Sequence, residues 1–195
     1  MSFRLEELLK KFNELEKEIL FEINEKEKEF YYEIKKKRVH FEKEIQDQHR
    51  TLVKKIRTYL KDAAILNILT APFIWSCLFP ALFMDLVLNV YQIVCFPVYG
   101  IPKVRRSDYV VLDRHYLRYL NWIERMNCIY CGYFNGIIGF SREVAARTEQ
   151  YWCPIKHARK NLTLHSRHKN FLDYGDAQGY RKKIEAVRRN FSDLK

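Results

Sequence analysis

Cys128 and Cys131 form a C-x2-C pair followed at once by Gly132, and Cys153 and His157 form a C-x3-H pair after a 21-residue gap. A C-x2-C turn aims two thiolates at one point. A glycine behind it lets the backbone curl so that amides face the sulfurs. Pro154 suits the first position of a helix, with Cys153 at the cap and His157 four residues on, over the same face. Three thiolates and one imidazole match a tetrahedral zinc ion, and the same borderline-soft donors suit an iron–sulfur cluster. Four protein ligands leave no open position, so the zinc would be structural. It would help a short segment with few long apolar runs to stay folded.

Other chemistries compete for these residues. Buried free cysteines act as small hydrophobes, and C-x-x-C can be a redox dithiol. His115, His165 and His168 are spare imidazoles, and the pair three apart, His165 and His168, could replace His157. Glu124, Glu143 and Glu149 with Arg125, Arg142 and Arg147 read as ion pairs, not as a catalytic set. The chain has no P-loop, GxGxxG, GxSxG or HExxH motif, no catalytic residues are assigned, and a non-enzymatic role is favoured.

The elements that would position the site are helical. Leu112, Tyr116, Leu120 and Ile123 recur at helical spacing before the C-x2-C pair. Phe134, Ile137, Ile138 and Val144 follow it. A helical hairpin pinned at one end by the metal is expected.

Upstream, residues 63–102 are almost wholly apolar, with Asp85 their only charge. A span needs about 20 apolar residues. The segment therefore accommodates a hairpin of two helices, roughly 63–79 and 81–99, turning at Pro80; a single span from Ala63 to Met84 is the competitor. Lys54, Lys55, Arg57 and Lys61 precede the segment, and Lys103, Arg105, Arg106, Arg114 and Arg118 follow it. Positive flanks stay in the cytoplasm, so both ends are placed there and the number of crossings is even, or none. Asp85, Asn89 and Gln92 form a polar stripe at i, i+4 and i+7. An ionisable group in a span is a candidate for proton or ion passage. A simpler reading places Asp85 near the headgroups, with Asn89 and Gln92 as hydrogen bonds between helices. Cys77 and Cys95 read as packing residues. The N-terminus is charged throughout and carries no apolar signal core, so the hairpin would be the insertion signal. Cytoplasmic cysteines favour metal over disulfides.

Residues 3–61 contain no Gly or Pro. Leu8/Phe12, Ile19/Ile23, Phe30/Ile34, Phe41/Ile45 and Leu52/Ile56 repeat every eleven residues, widened by Leu9, Leu20, Tyr31 and Val53. A heptad from Leu5 meets Lys26 and Glu33 and fails. The eleven-residue period predicts one straight or slightly right-handed helix of roughly 87 Å. Glu6/Lys10, Glu7/Lys11, Glu22/Lys26 and Glu33/Lys37 support it. Its stripe needs a cover: self-association first, then the chain's own C-terminal helices, then a lipid surface.

Residues 1–62 hold 16 Lys/Arg and 14 Asp/Glu, whereas residues 103–195 hold 19 and 9, a net of +10. The basic part suits anionic lipid headgroups or a protein partner. Its cations are scattered among aromatics and not clustered, which disfavours nucleic acid. Gly175 and Gly179 mark a turn before a basic helix at about 176–193.

The expectation is an all-α protein in four parts: a long helix (1–62), a membrane hairpin (63–102), a basic Cys3His zinc domain (103–170) and a basic tail helix (171–195). It would be a homo-oligomeric scaffold at the cytoplasmic face of a membrane. The alternatives are a membrane-attached iron–sulfur redox protein and an oligomeric transporter using the Asp85 stripe.

Overall fold

The run free of Gly and Pro does not form one rod. In the computed structural model, which describes residues 3–30, 32–35, 38–159 and 163–194, α1 spans Phe3–Glu29 and stops. Two strands follow, β1 (Tyr32–Lys35) and β2 (Arg38–Phe41), paired antiparallel with Tyr32 opposite Phe41 and Lys35 opposite Arg38. The reason lies in the local residues. Tyr32, Ile34, Val39 and Phe41 alternate at the strand period, and in a helix Lys35 and Arg38 would be like charges three residues apart on one face. After the hairpin come α2 (Lys43–Thr51) and α3 (Ile56–Asp62). The eleven-residue stripe is thus cut into pieces on separate elements. Tyr31, and the side chains of Leu8, Leu9, Phe12 and Ile34, lie outside the described residues.

Among the described residues helix still accounts for 72%, so the all-α class holds apart from this hairpin. Two compact units emerge: residues up to Tyr59 with Asp113–Arg125, and Leu60–Leu112 with Met126–Lys195. In the first, His49 packs edge-on between Phe41 and Tyr119, with ring centroids 5.4 and 5.2 Å away. Gln46 donates to the Phe41 carbonyl at 2.9 Å, tying α2 to β2.

The second unit holds the apolar segment. It forms α4 (Ile65–Ser76) and α5 (Leu78–Tyr99). Cys77 between them keeps right-handed helical angles, φ −64° and ψ −14°. Its N–H reaches back to Ile74, and its carbonyl accepts from Ala81 at 3.3 Å. The expected hairpin is therefore not formed. Pro80 sits in the first turn of α5, where a missing N–H costs nothing, so it opens a helix instead of reversing the chain. Ile65–Tyr99 is one helix long and apolar enough to cross a membrane. Gly100, at φ +67°, closes it, with the Ile101 N–H bonded to the Phe96 carbonyl at 2.9 Å.

A second correction concerns α6, which runs unbroken from Trp122 to Trp152. Its start is a capping box: Asn121 Oδ1 accepts from the Glu124 N–H at 3.0 Å, and Glu124 Oε2 accepts from the Asn121 N–H at 2.9 Å. The residues before it form short 3-10 turns (Arg106–Asp108 and Arg114–Tyr116) and not a helix over 112–123. Pro154 ends α6 instead of starting a new helix; Ile155 pairs with Leu172 in an isolated bridge. The last helix, α7 (Ala177–Arg189), is capped by Asp176, whose carboxylate accepts from the Gly179 N–H at 2.8 Å. Gly175 takes the left-handed angle, φ +86°, that the turn before the cap requires. The core of the unit gathers Phe96, Ile101, Val104, Phe140, Val144 and Phe191.

Candidate functional site

The expected metal ligands come first. Cys128, Cys131 and Gly132 all lie inside α6, so no knuckle forms, and Cys153 follows its C-terminal end. At 1.5 Å per residue, Cys131 and Cys153 stand about 33 Å apart along one rigid helix. Cys131, Cys153 and His157 are exposed and Cys128 is half-buried. The four residues do not fit a shared tetrahedral ion or a cluster. Among the described residues no group of three or more His, Cys, Asp or Glu side chains is placed to hold a metal.

Gly132 has a different task. A Cβ there would meet the Val111 carbonyl at 3.2 Å, and one at Gly136 would meet the Tyr109 carbonyl and the Val110 Cα at 2.8 Å. Gly132 and Gly136 are one helical turn apart and open a groove on α6. The segment after α5 runs back through it.

That return segment is held to α5 by the polar stripe. The Val104 N–H donates to Gln92 Oε1 at 2.7 Å. One heptad nearer the N-terminus of α5, Asp85 receives Arg106 through Nη2 at 2.7 Å and Nε at 2.9 Å. It also receives the Tyr133 hydroxyl at 2.9 Å and the Asn89 amide at 2.8 Å. The carboxylate is neutralised by a fork of two charge-assisted bonds, and its remaining lone pairs are used. The hydrogen bond to Asp85 raises the pKa of the Arg106 guanidinium. Burial, then the Asp85 bond, raises that of the Tyr133 phenol, so the phenol stays a neutral donor. Tyr91 and Thr148 join their hydroxyls at 3.1 Å, and Tyr99 stacks on Tyr151 with ring centroids 5.0 Å apart. A charged seam of hydrogen bonds and ring contacts thus lines one side of α5 from Asp85 to Tyr99.

The other side of α5 carries none of this. Phe79, Phe83 and Val98 are 74%, 68% and 77% exposed, with Leu86, Val90 and Val94 between them. Asp85, Asn89 and Gln92 share the inward side with Ala81 and Phe96, and the exposed side chains are apolar, unlike those of a helix on a water-soluble domain.

Two further polar clusters stabilise the unit. Arg167, 1% exposed, forks onto Asp193 at 2.8 and 3.0 Å and donates to Gln150 Oε1. That bond draws the Asp193 carboxyl below its usual pKa. Glu143 accepts from Arg147 at 2.9 Å and from Ser166 at 2.6 Å, while Arg147 also bonds the Pro102 carbonyl at 2.7 Å. Nearby, His165 Nε2 stands 3.1 Å from Glu149. Burial lowers the His165 pKa more than the carboxylate raises it, so the ring is neutral at pH 7. His168 lies ring to ring with it at 5.9 Å, and His157 is 4.0 Å from the same Glu149.

Sequence reasoning found the Asp85–Asn89–Gln92 stripe but not its main partner. Arg106 was grouped with the positive flank, and Gly132 with the cysteines. The spacing Gly132-x3-Gly136 was the missed signal for close backbone approach. No family model, curated protein or solved structure matches this chain.

Proposed function

We propose that the chain is a membrane-attached interaction protein. Its apolar helix, Ile65–Tyr99, is the attachment element, and α1 is its association element. The observation that carries the reading is the reversed sidedness of α5: Asp85, Asn89 and Gln92 are turned into the unit, and only apolar residues are turned out. A contiguous apolar surface of this size on a monomer marks a binding face, and a purely apolar one fits lipid. Leu15, Ile19 and Ile23 lie on one side of α1 and are each about half exposed. They support self-association of the N-terminal unit, with Lys11–Glu7 and Lys28–Glu25 pairs keeping the rest of α1 hydrated. The positive flanks on both sides of 63–102 support a cytoplasmic position for both ends.

Flotation of the full chain on lipid vesicles tests this. The wild type rises with the vesicles. A Phe83→Asp, Val90→Asp double variant stays in the aqueous fraction with its helical circular dichroism intact. A wild type that stays in solution as a monodisperse species ends the reading.

A further inference from the structure

We infer that α5 lies along one surface of the bilayer and does not cross it, with lipid on the Phe83–Val90–Val94 side and water on the side of the return segment. This rests on the membrane-attached reading above and adds an orientation to it.

The seam fixes where the return segment lies. Val104 is fixed at Gln92 and Arg106 at Asp85, so the return segment lies beside the middle of α5. Its Lys103, Arg105 and Asp108 are exposed. In an upright helix whose membrane-embedded part included Asp85–Gln92, these three charges would project into the bilayer, where ionisable side chains face a protein interior or a water-filled cavity. Here they face outward from the unit. The C-terminal half of α5 has the same difficulty. Through Tyr91–Thr148 and Tyr99–Tyr151 it packs on the charged half of α6, where Arg142 is exposed.

Length agrees. Ile65–Tyr99 has 35 residues, about 52 Å of helix, against a hydrocarbon core of about 30 Å. Apolar exposure continues from Ile65 to Val98, so an upright helix would leave about two fifths of its apolar side in water. A helix lying in the surface buries most of it. Counting back at about 100° per residue, Asn67 and Thr70 fall on the same side as Ala81 and Asp85, together with the exposed Ile74. The charge rule agrees as well: positive flanks at Lys61 and Lys103 both remain on one side when there is no crossing, and both can meet anionic headgroups.

The test uses the full chain bound from outside to sealed vesicles of phosphatidylcholine and phosphatidylglycerol. A membrane-impermeant amine reagent is added, and Lys61 and Lys103 are read by mass spectrometry. Both lysines should be modified to the extent seen after detergent is added. Protection of either one until detergent opens the vesicles overturns the inference and leaves a crossing helix. Val90→Asp should lower the vesicle-bound fraction at least ten-fold. A bound fraction unchanged by Val90→Asp also overturns it. If the wild type fails to float and light scattering shows a dimer that Val90→Asp dissociates, a second copy covers the face, and the attachment reading fails with the orientation.

Discussion

α1 and α5 both present an apolar stripe to the outside, yet their opposite sides differ completely. Behind the stripe of α1 are charges paired with one another along the same helix, such as Lys11 with Glu7. Behind the stripe of α5 are Asp85 and Gln92, paired with residues 21 and 12 positions away. The amphipathicity of α1 is written in its sequence. That of α5 is made by folding, because the segment is apolar almost all round and gains a wet side only when the return segment and α6 cover it. A helix of the first kind can exist alone in water. One of the second kind needs both its protein side and its apolar side satisfied, which on the proposed attachment would tie the stability of the unit to the membrane.

The contrast can be broken most severely at Gly136. A larger side chain there collides with the Tyr109 and Val110 backbone. Gly136→Val should therefore destabilise the second unit by about 3 kcal/mol, read as a loss of thermal or denaturant stability, while α1 keeps its helicity. Asp85→Ala removes the anchor of Arg106 and leaves a partly exposed cation unpaired. A loss of about 2 kcal/mol is expected, and Asp85→Asn should recover part of it. If both variants are neutral, the return segment is not held by the seam.

Acid sharpens the comparison. Asp193 titrates below its usual value because Arg167 holds its charged form, so its contribution is present above about pH 4 and is lost as pH falls through the folded value. His165 is kept neutral by burial; stability is fullest above about pH 6.5 and declines as pH drops from there toward the folded value. Urea titrations at stepped pH should show the second unit losing stability in both windows. His165→Gln should flatten the upper one.

The smallest effects belong to α1. Replacing Leu15, Ile19 and Ile23 by Glu should change the stability of the monomer by no more than about 0.5 kcal/mol per site, while lowering the assembly mass by light scattering. Chelation should do still less: with Cys131 inside α6 and Cys153 beyond its C-terminal end, about 33 Å away, treatment with EDTA should leave the melting temperature of the second unit unchanged.

The sequence made some of this readable. The Asp85–Asn89–Gln92 stripe needed only the helical period, and the turn at Gly175 with a basic helix after it followed from local residue types, whereas Gly179 lies inside α7 and not in the turn, and its N–H bonds the Asp176 cap. The rest needed contacts across the chain. Gly132 beside Cys131 looks like a metal knuckle until Tyr109–Leu112 is seen lying in its groove. Pro154 reads as a helix start but ends α6, and Pro80 reads as a reversal of the chain but sits in the first turn of α5, because a proline suits all of these places and only the neighbouring backbone decides between them. The run without Gly or Pro is helical over α1, but the alternation of Tyr32, Ile34, Val39 and Phe41 ends it beyond Glu29.

The two-sidedness of α5 can be measured directly. With Trp75, Trp122 and Trp152 replaced by Phe, a single tryptophan is placed at Val90→Trp or at Lys103→Trp, and each protein is bound to vesicles carrying acyl-chain-brominated lipid. The account predicts strong quenching at position 90 and none beyond the aqueous control at position 103. Equal quenching at the two positions would contradict it.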